Sequence, residues 1–122
     1  MKWNFNSDAP IYSQLIDQIK AAIVAGEFLP GERLPSVRDM AAEAGVNPNT
    51  MQRALSELER GGLVHSQRTS GRVVTEDTGA IALAKRQLAG RHIRLFMESM
   101  TSLGYTTPEI LELLSSESGE EE

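Results

Sequence analysis

From Pro10 onward the apolar positions Ile11, Leu15, Ile19 and Ile23 recur every four residues, with Ile16 and Ala22 beside them. That spacing predicts an amphipathic helix of about 16 residues. A proline tolerated at the first helical position opens it, and Gly26 ends it. Ahead of it, Trp3 and Phe5 alternate with Lys2 and Asn4, the pattern of a short extended segment laid on a core. Phe28 to Glu32 is a turn around the Pro30-Gly31 breaker, and Arg33-Leu34 is a candidate for a very short strand. Ser36 then caps a helix whose apolar side is Val37, Met40, Ala41 and Ala44 and which stops at Gly45. The following helix carries two agreeing start signals, Asn47 as N-cap and Pro48 in the first turn, and runs to about Arg60 before Gly61-Gly62. Leu63–Gln67 and Arg72–Thr75 are strand-like runs joined by Arg68-Thr69-Ser70-Gly71, which predicts a β-hairpin.

Beyond Glu76–Gly79 the rhythm returns to that of a helix, over residues 80–103. Ile81, Ala84, Leu88, Leu95 or Phe96, Met100 and Leu103 form one stripe, and Leu83, Ile93 and Met97 extend it to a second side. Gly104 ends this helix, and Thr107-Pro108 starts a last short one with Ile110, Leu111, Leu113 and Leu114 apolar. Two such helices cannot close a core alone. They must pack on the first domain, on another copy of the chain, or on both. The expected fold is mainly α with a small β-hairpin: a winged helix-turn-helix at 1–76, a helical region at 77–115, and an acidic, disordered tail at 116–122.

Charge changes this picture in one respect. The net charge of −5 is unusual for a protein that meets nucleic acid. Residues 1–75, however, carry eight Lys and Arg against eight Asp and Glu, and residues 76–122 carry four against nine. The acidity therefore belongs to the second part, and a local cationic face remains open to the first. No cysteine is present, which excludes disulfides and thiolate metal sites. No apolar run approaches the roughly 20 residues of a membrane span, and the N-terminus lacks a long apolar core of a signal peptide. A soluble, cytoplasmic protein is expected.

The chemistry concentrates on the helix after Asn47. Placed on a wheel, Met51, Ala54, Leu55 and Leu58 share one side, while Asn49, Arg53, Ser56 and Arg60 point the opposite way, flanked by Thr50 and Gln52. In a helix-turn-helix the N-terminal half of the second helix reaches base edges, which nominates Asn49, Thr50, Gln52 and Arg53, with Asn47 at the helix start. Asn and Gln pair bidentately with adenine, and Arg with guanine. The plainer reading is a solvated polar face. Arg60 is a phosphate contact or a surface partner of Glu57. Arg38, with Ser36 at the start of its helix, is a phosphate clamp or an ion-pair partner of Asp39 or Glu43. Arg68 and Arg72 either enter the minor groove or keep a hairpin tip soluble. Ser70 lies at that tip, and Gly71 supplies a positive φ for the turn. Arg33 is a weaker candidate, whose stem alone covers the core in the alternative reading.

These residues resemble the GntR family of bacterial transcription regulators over nearly the whole chain. The resemblance is carried by Pro10-Ile11-Tyr12 with Gln14, Gly31 to Arg38, Val46 to Thr50, Arg53-Ala54-Leu55, Leu58 and Gly62-Leu63-Val64. The Asn47-Pro48-Asn49-Thr50 start and the short C-terminus resemble the YtrA subfamily. Other members often carry an Arg near the second recognition-helix position, where this chain has Pro48, and several have Arg where Gln52 stands. Family wings often read Gly-x-Gly-Thr-Phe, and this one has Thr69-Ser70-Gly71-Arg72-Val73. The resemblance implies a homodimer joined through the C-terminal helices and bound to an inverted repeat in double-stranded DNA. Ile81, Ala84, Leu88, Ile93, Phe96, Met97, Met100 and Leu103 are the residues that would join it.

The expected function is thus a DNA-binding transcriptional repressor, and the competing one is a winged-helix module for protein–protein contacts. An enzyme is not expected: there is no nucleophile paired with a base, no phosphate-cradling glycine loop and no carboxylate constellation. His65 and His92 lack a second ligand at metal spacing, so neither metal nor cofactor is expected. A small-molecule effector, if one acts, is expected to change the spacing of the two heads through the short linker at 76–80, which contains Gly79. Equal head separation with and without a ligand, by spin-label distances, would exclude it.

Overall fold

The structure, a computed structural model, describes residues 1–69 and 71–120. Its elements follow the order α1 (Ile11–Val24), α2 (Val37–Ala44), α3 (Pro48–Arg60), β1 (Val64–Gln67), β2 (Gly71–Val74), α4 (Thr78–Ser102) and α5 (Thr107–Glu120). Two compact units divide the chain, Met1–Arg86 and Gln87–Glu122.

In the first unit the four-residue spacing of α1 buries Leu15, Ile19 and Ile23 against Met51, Ala54, Leu55 and Leu58 of α3. Met40 and Ala41 of α2 close the same core. Ser36 caps α2 by accepting from the Asp39 amide at 3.1 Å, and Asn47 caps α3 by accepting from the Asn49 amide at 2.7 Å. These bonds satisfy amides that a helix start leaves without partners. Gly45 ends α2 at φ 71°, a left-handed conformation that a Cβ disfavours. The sharp turn from α2 to α3 depends on it. At the other end of the unit, the N-terminal segment lies on the core through half-buried Trp3 and Phe5, whose rings stack at 6.0 Å. Gln18 pairs with both backbone groups of Asn4, accepting at 3.0 Å and donating at 2.8 Å, as a neighbouring strand would.

The hairpin pairs antiparallel from Val64↔Val74 to Gln67↔Gly71. Gly71 belongs to the strand at φ 72° rather than to the turn. Residues 31–34 add a third edge: Arg33 bridges Val73, Gly31 donates to Val74, and Leu34 donates to Arg72, the last two at 2.9 Å. The expected short strand at Arg33-Leu34 is thus reduced to an isolated bridge beside the two-stranded sheet. The hairpin is tied to α3 by Glu59, whose Oε1 accepts from Ser66 Oγ at 2.9 Å and from Arg72 Nε at 3.2 Å. Arg72 Nη2 reaches Ser56 Oγ at 3.4 Å.

Three expectations about the second part change. The expected linker at 76–80 is helical from Thr78, with Gly79 in the first turn and Asp77 Oδ1 accepting from the Ala80 amide at 3.1 Å. The first turns of α4 also belong to the first unit, because Ala84 is buried in its core and Ile81 packs on it. The division thus falls at Arg86 instead of residue 76. The acidic tail expected from residue 116 is helical as far as Glu120, and residues 121–122 lie outside the described ones.

In the second unit the end of α4 and α5 are joined by a turn through Gly104. Thr106 and Glu109 cap α5 reciprocally: Glu109 Oε1 accepts from the Thr106 amide at 2.8 Å, and Thr106 Oγ1 accepts from the Glu109 amide at 3.4 Å. The donors around Glu109 hold its carboxyl below the usual glutamate value. Ile110 is 1% exposed in this unit.

Glu59 gives a pH prediction. The Ser66 hydroxyl, and after it Arg72, hold its carboxyl below the ordinary value of 4.5. A carboxylate with a lowered folded-state pKa contributes stability that is complete above the unfolded value and is lost as pH falls through the folded one. Glu59→Gln is expected to lower stability at neutral pH by about 0.2–1 kcal/mol, as for an exposed pair. The difference from wild type should shrink below about pH 4.5. Urea melts at pH 7 and pH 4 check this, and a gap that widens in acid refutes it.

Candidate nucleic-acid interface

The interface is built by the rotation of α3. With Met51, Ala54, Leu55 and Leu58 buried at 1% exposure or less, the opposite side of the helix must face solvent. Asn49, Gln52, Arg53, Ser56 and Arg60 are all exposed there, and Thr50 is half-buried at the edge. The four residues nominated to read bases thus share one outward surface on the N-terminal half of the helix. The major groove of DNA is wide enough to admit an α-helix, and each base pair presents a distinct pattern there.

The cations on and around this face differ in what they touch. Arg60 pairs with Glu57 at 2.6 Å, the surface partnership weighed from sequence, and its hydrogen bond to the Glu57 carboxylate raises its pKa. Arg53 places its guanidinium carbon 4.7 Å from the centre of the Tyr12 ring on α1. Arg38 is exposed and makes no ion pair with Asp39 or Glu43 among the described residues. Glu43 instead accepts from Trp3 Nε1 at 3.1 Å. The ion pair considered as the alternative for Arg38 is therefore not formed among the described residues.

The hairpin brings one correction. Arg72 was expected beside Arg68 as a tip cation, but its side chain is only 16% exposed and is held by Glu59 and Ser56. It sits on β2 opposite Ser66, and its guanidinium ties the hairpin to Glu59 and Ser56 of α3. Arg68 is exposed near the tip, as expected. Ser70 lies outside the described residues. Arg33, Ser36 and Arg72 line an open groove with Asp39, Gln67 and Thr69. Ser36 and Asn47 use their side-chain oxygens as helix caps, a structural role alongside the contact proposed for them. The Glu59–Arg72 latch and the Tyr12 platform escaped the sequence reading, since neither spacing nor composition brings partners from separate elements together.

The eight residues nominated for dimerisation divide in two. Ile81 and Ala84 are used inside the first unit. Ile93, Phe96 and Leu103 are exposed at 60%, 39% and 72%, and Leu88, Met97 and Met100 are half-buried. Leu95, Leu111 and Leu114 add to the exposed apolar surface of the second unit. Among the described residues, no helix is long and apolar enough to cross a membrane.

The profile of "Bacterial regulatory proteins, gntR family" matches residues 11–74, which run from the start of α1 to the end of β2. YhcF of Bacillus subtilis, described as an uncharacterized HTH-type transcriptional regulator, is 44% identical over 108 residues, covering 88% of this chain and 89% of its own. The HTH-type transcriptional repressor YtrA of the same organism is 39% identical over 88 residues, covering 67% and 68%. Among solved structures, a GntR family transcriptional regulator from Listeria monocytogenes superposes with a TM-score of 0.83 at 33% identity, covering 92% of this chain and 98% of its own. The DNA-binding domain of AraR, solved in complex with operator ORX1, superposes on 62% of this chain with a TM-score of 0.56 at 25% identity, covering 96% of its own length. With its helix-turn-helix and hairpin matched from end to end, and its C-terminal helices matched in relatives of similar length, the chain belongs to the GntR family of bacterial regulatory proteins.

Proposed function

We propose that this protein is a cytoplasmic transcriptional repressor that binds an inverted-repeat operator as a homodimer, with α3 in the major groove and the hairpin at the minor groove. The observation that carries the reading is the outward face of α3, where Asn49, Gln52 and Arg53 stand exposed opposite a fully buried stripe. Asn and Gln suit adenine and Arg suits guanine. Arg38 and Arg68 supply phosphate and minor-groove contacts, while Arg72 positions the hairpin that carries Arg68. The name of the relative YtrA supports repression over activation.

A second copy of the chain is the occupant proposed for the exposed apolar surface of the second unit. One head buries limited DNA surface and discriminates weakly, and two joined heads combine their contacts. The charges support self-association. Within the second unit the cations Arg91 and Arg94 lie on α4, and the acids begin at Glu98 and continue through Glu109, Glu112 and Glu117. A two-fold axis that sets α4 of one copy beside α5 of the other brings opposite signs together around the apolar contacts. Half-sites would then lie about one helical turn apart, ~34–36 Å, or a multiple of it.

Selection of bound duplexes from a random pool tests the whole reading, and recovery of no preferred sequence would favour the protein-interaction alternative. Arg53→Ala is expected to weaken binding to the selected operator by about 1–3 kcal/mol and to relax preference at one position. Arg38→Ala is expected to weaken all duplexes alike and to lower the salt slope by about one. Equal titration curves for Arg53→Ala and wild type at fixed salt would remove Arg53 from the reading surface. Phe96→Glu is expected to yield monomers by light scattering and to reduce the affinity for the full operator to that for a half-site. A dimer that survives this change would place the interface elsewhere.

A further inference from the structure

We propose that Tyr12, which lies on α1 outside the helix-turn-helix, is a positioning residue that presents Arg53 for guanine. The proposal rests on the reading of Arg53 as a base contact. Tyr12 sits in the first turn of α1, half-buried against the first unit's core. Its ring is therefore a platform fixed by the same packing that holds α1 on α3. The guanidinium of Arg53 lies over this ring, 4.7 Å from its centre.

What an arginine touches decides which of its atoms remain for DNA. The donors of Arg60 are drawn to Glu57, and those of Arg72 to Glu59 and Ser56. Among the described residues Arg53 has an aromatic partner and no carboxylate. A ring attracts a guanidinium through its π face, and among the described residues none of the N–H groups of Arg53 is hydrogen-bonded to another side chain. Guanine O6 and N7 are read by the in-plane N–H edge. Platform and base thus engage different parts of one side chain. An arginine already held in its reading position loses less conformational freedom when it pairs. Because the ring adds no formal charge, the effect falls on discrimination between sequences and leaves attraction to phosphates unchanged.

The test is the ratio of affinities for the wild-type-selected operator and a scrambled duplex, measured by anisotropy at fixed salt. Tyr12→Phe keeps the ring face and is expected to hold the ratio within about twofold. Tyr12→Leu is expected to lower it about fivefold, with an unchanged salt slope and unchanged affinity for the scrambled duplex. In an Arg53→Ala background Tyr12→Leu should have no further effect. Since Tyr12→Leu also alters packing, a series of fluorinated phenylalanines at position 12 gives an independent measure. The ratio should fall as fluorine withdraws electron density from a ring of nearly constant shape. An unchanged ratio in Tyr12→Leu, an equal loss with and without Arg53, or no trend along the fluorinated series each overturns the proposal. Failure of the wild type to select any operator would instead overturn the DNA-binding reading beneath it.

Discussion

The rotation of α3 about its own axis is the constraint on which the interface depends. Met51, Ala54, Leu55 and Leu58 are held against Leu15, Ile19 and Ile23 of α1. Turning the helix by one residue, about 100°, would expose part of that stripe and bury polar side chains in its place. Burying Leu or Met is worth roughly 1.5–3 kcal/mol each, so no surface interaction on α3 competes with the core for control of its orientation. The outward direction of Asn49, Gln52 and Arg53 is a consequence of that packing. The caps at Ser36 and Asn47 and the left-handed turn at Gly45 add a second restraint, fixing where α3 begins.

Around that fixed helix, function is divided among arginines by their partners. A carboxylate partner offsets the charge and occupies donors, as at Arg72 with Glu59 and Arg60 with Glu57. An aromatic partner leaves both in place, as at Arg53. Arg38 and Arg68 stand exposed. The same residue type thus anchors the hairpin at one position and stays available at another. In the near-neutral first 75 residues a cationic surface rests on where the exposed Arg38, Arg53 and Arg68 stand, not on an excess of positive charge.

The second unit follows a different logic. Its Ile93, Phe96, Leu103, Leu111 and Leu114 stand exposed on α4 and α5, and exposed apolar patches of this kind are where interaction surfaces form. Their placement on α4 and α5, among segregated charges, supports a partner of the same kind.

Much of this was legible in the chain itself. The four-residue rhythm from Ile11, the agreement of Asn47 and Pro48, and the glycines at 45 and 61–62 marked α1, α2 and α3 closely, since periodicity and capping are local properties. The outward face of α3 was equally legible, because one buried stripe determines the other side of a helix. The boundary at 76, the short linker at 76–80 and the surroundings of Arg72 differ from what the sequence suggests. Each depends on contacts between elements distant in the chain. Ile81 and Ala84 read as part of a continuous stripe, and only the packing assigns them to the first unit's core. Arg72 reads as a tip cation until pairing of β2 with β1 turns it toward Glu59, 13 residues earlier. Tyr12 and Arg53, 41 positions apart, meet because α1 and α3 share a core. Local pattern therefore determined the elements and the outward face of α3, while tertiary packing alone decided which arginines around that face are held by carboxylates and which are not.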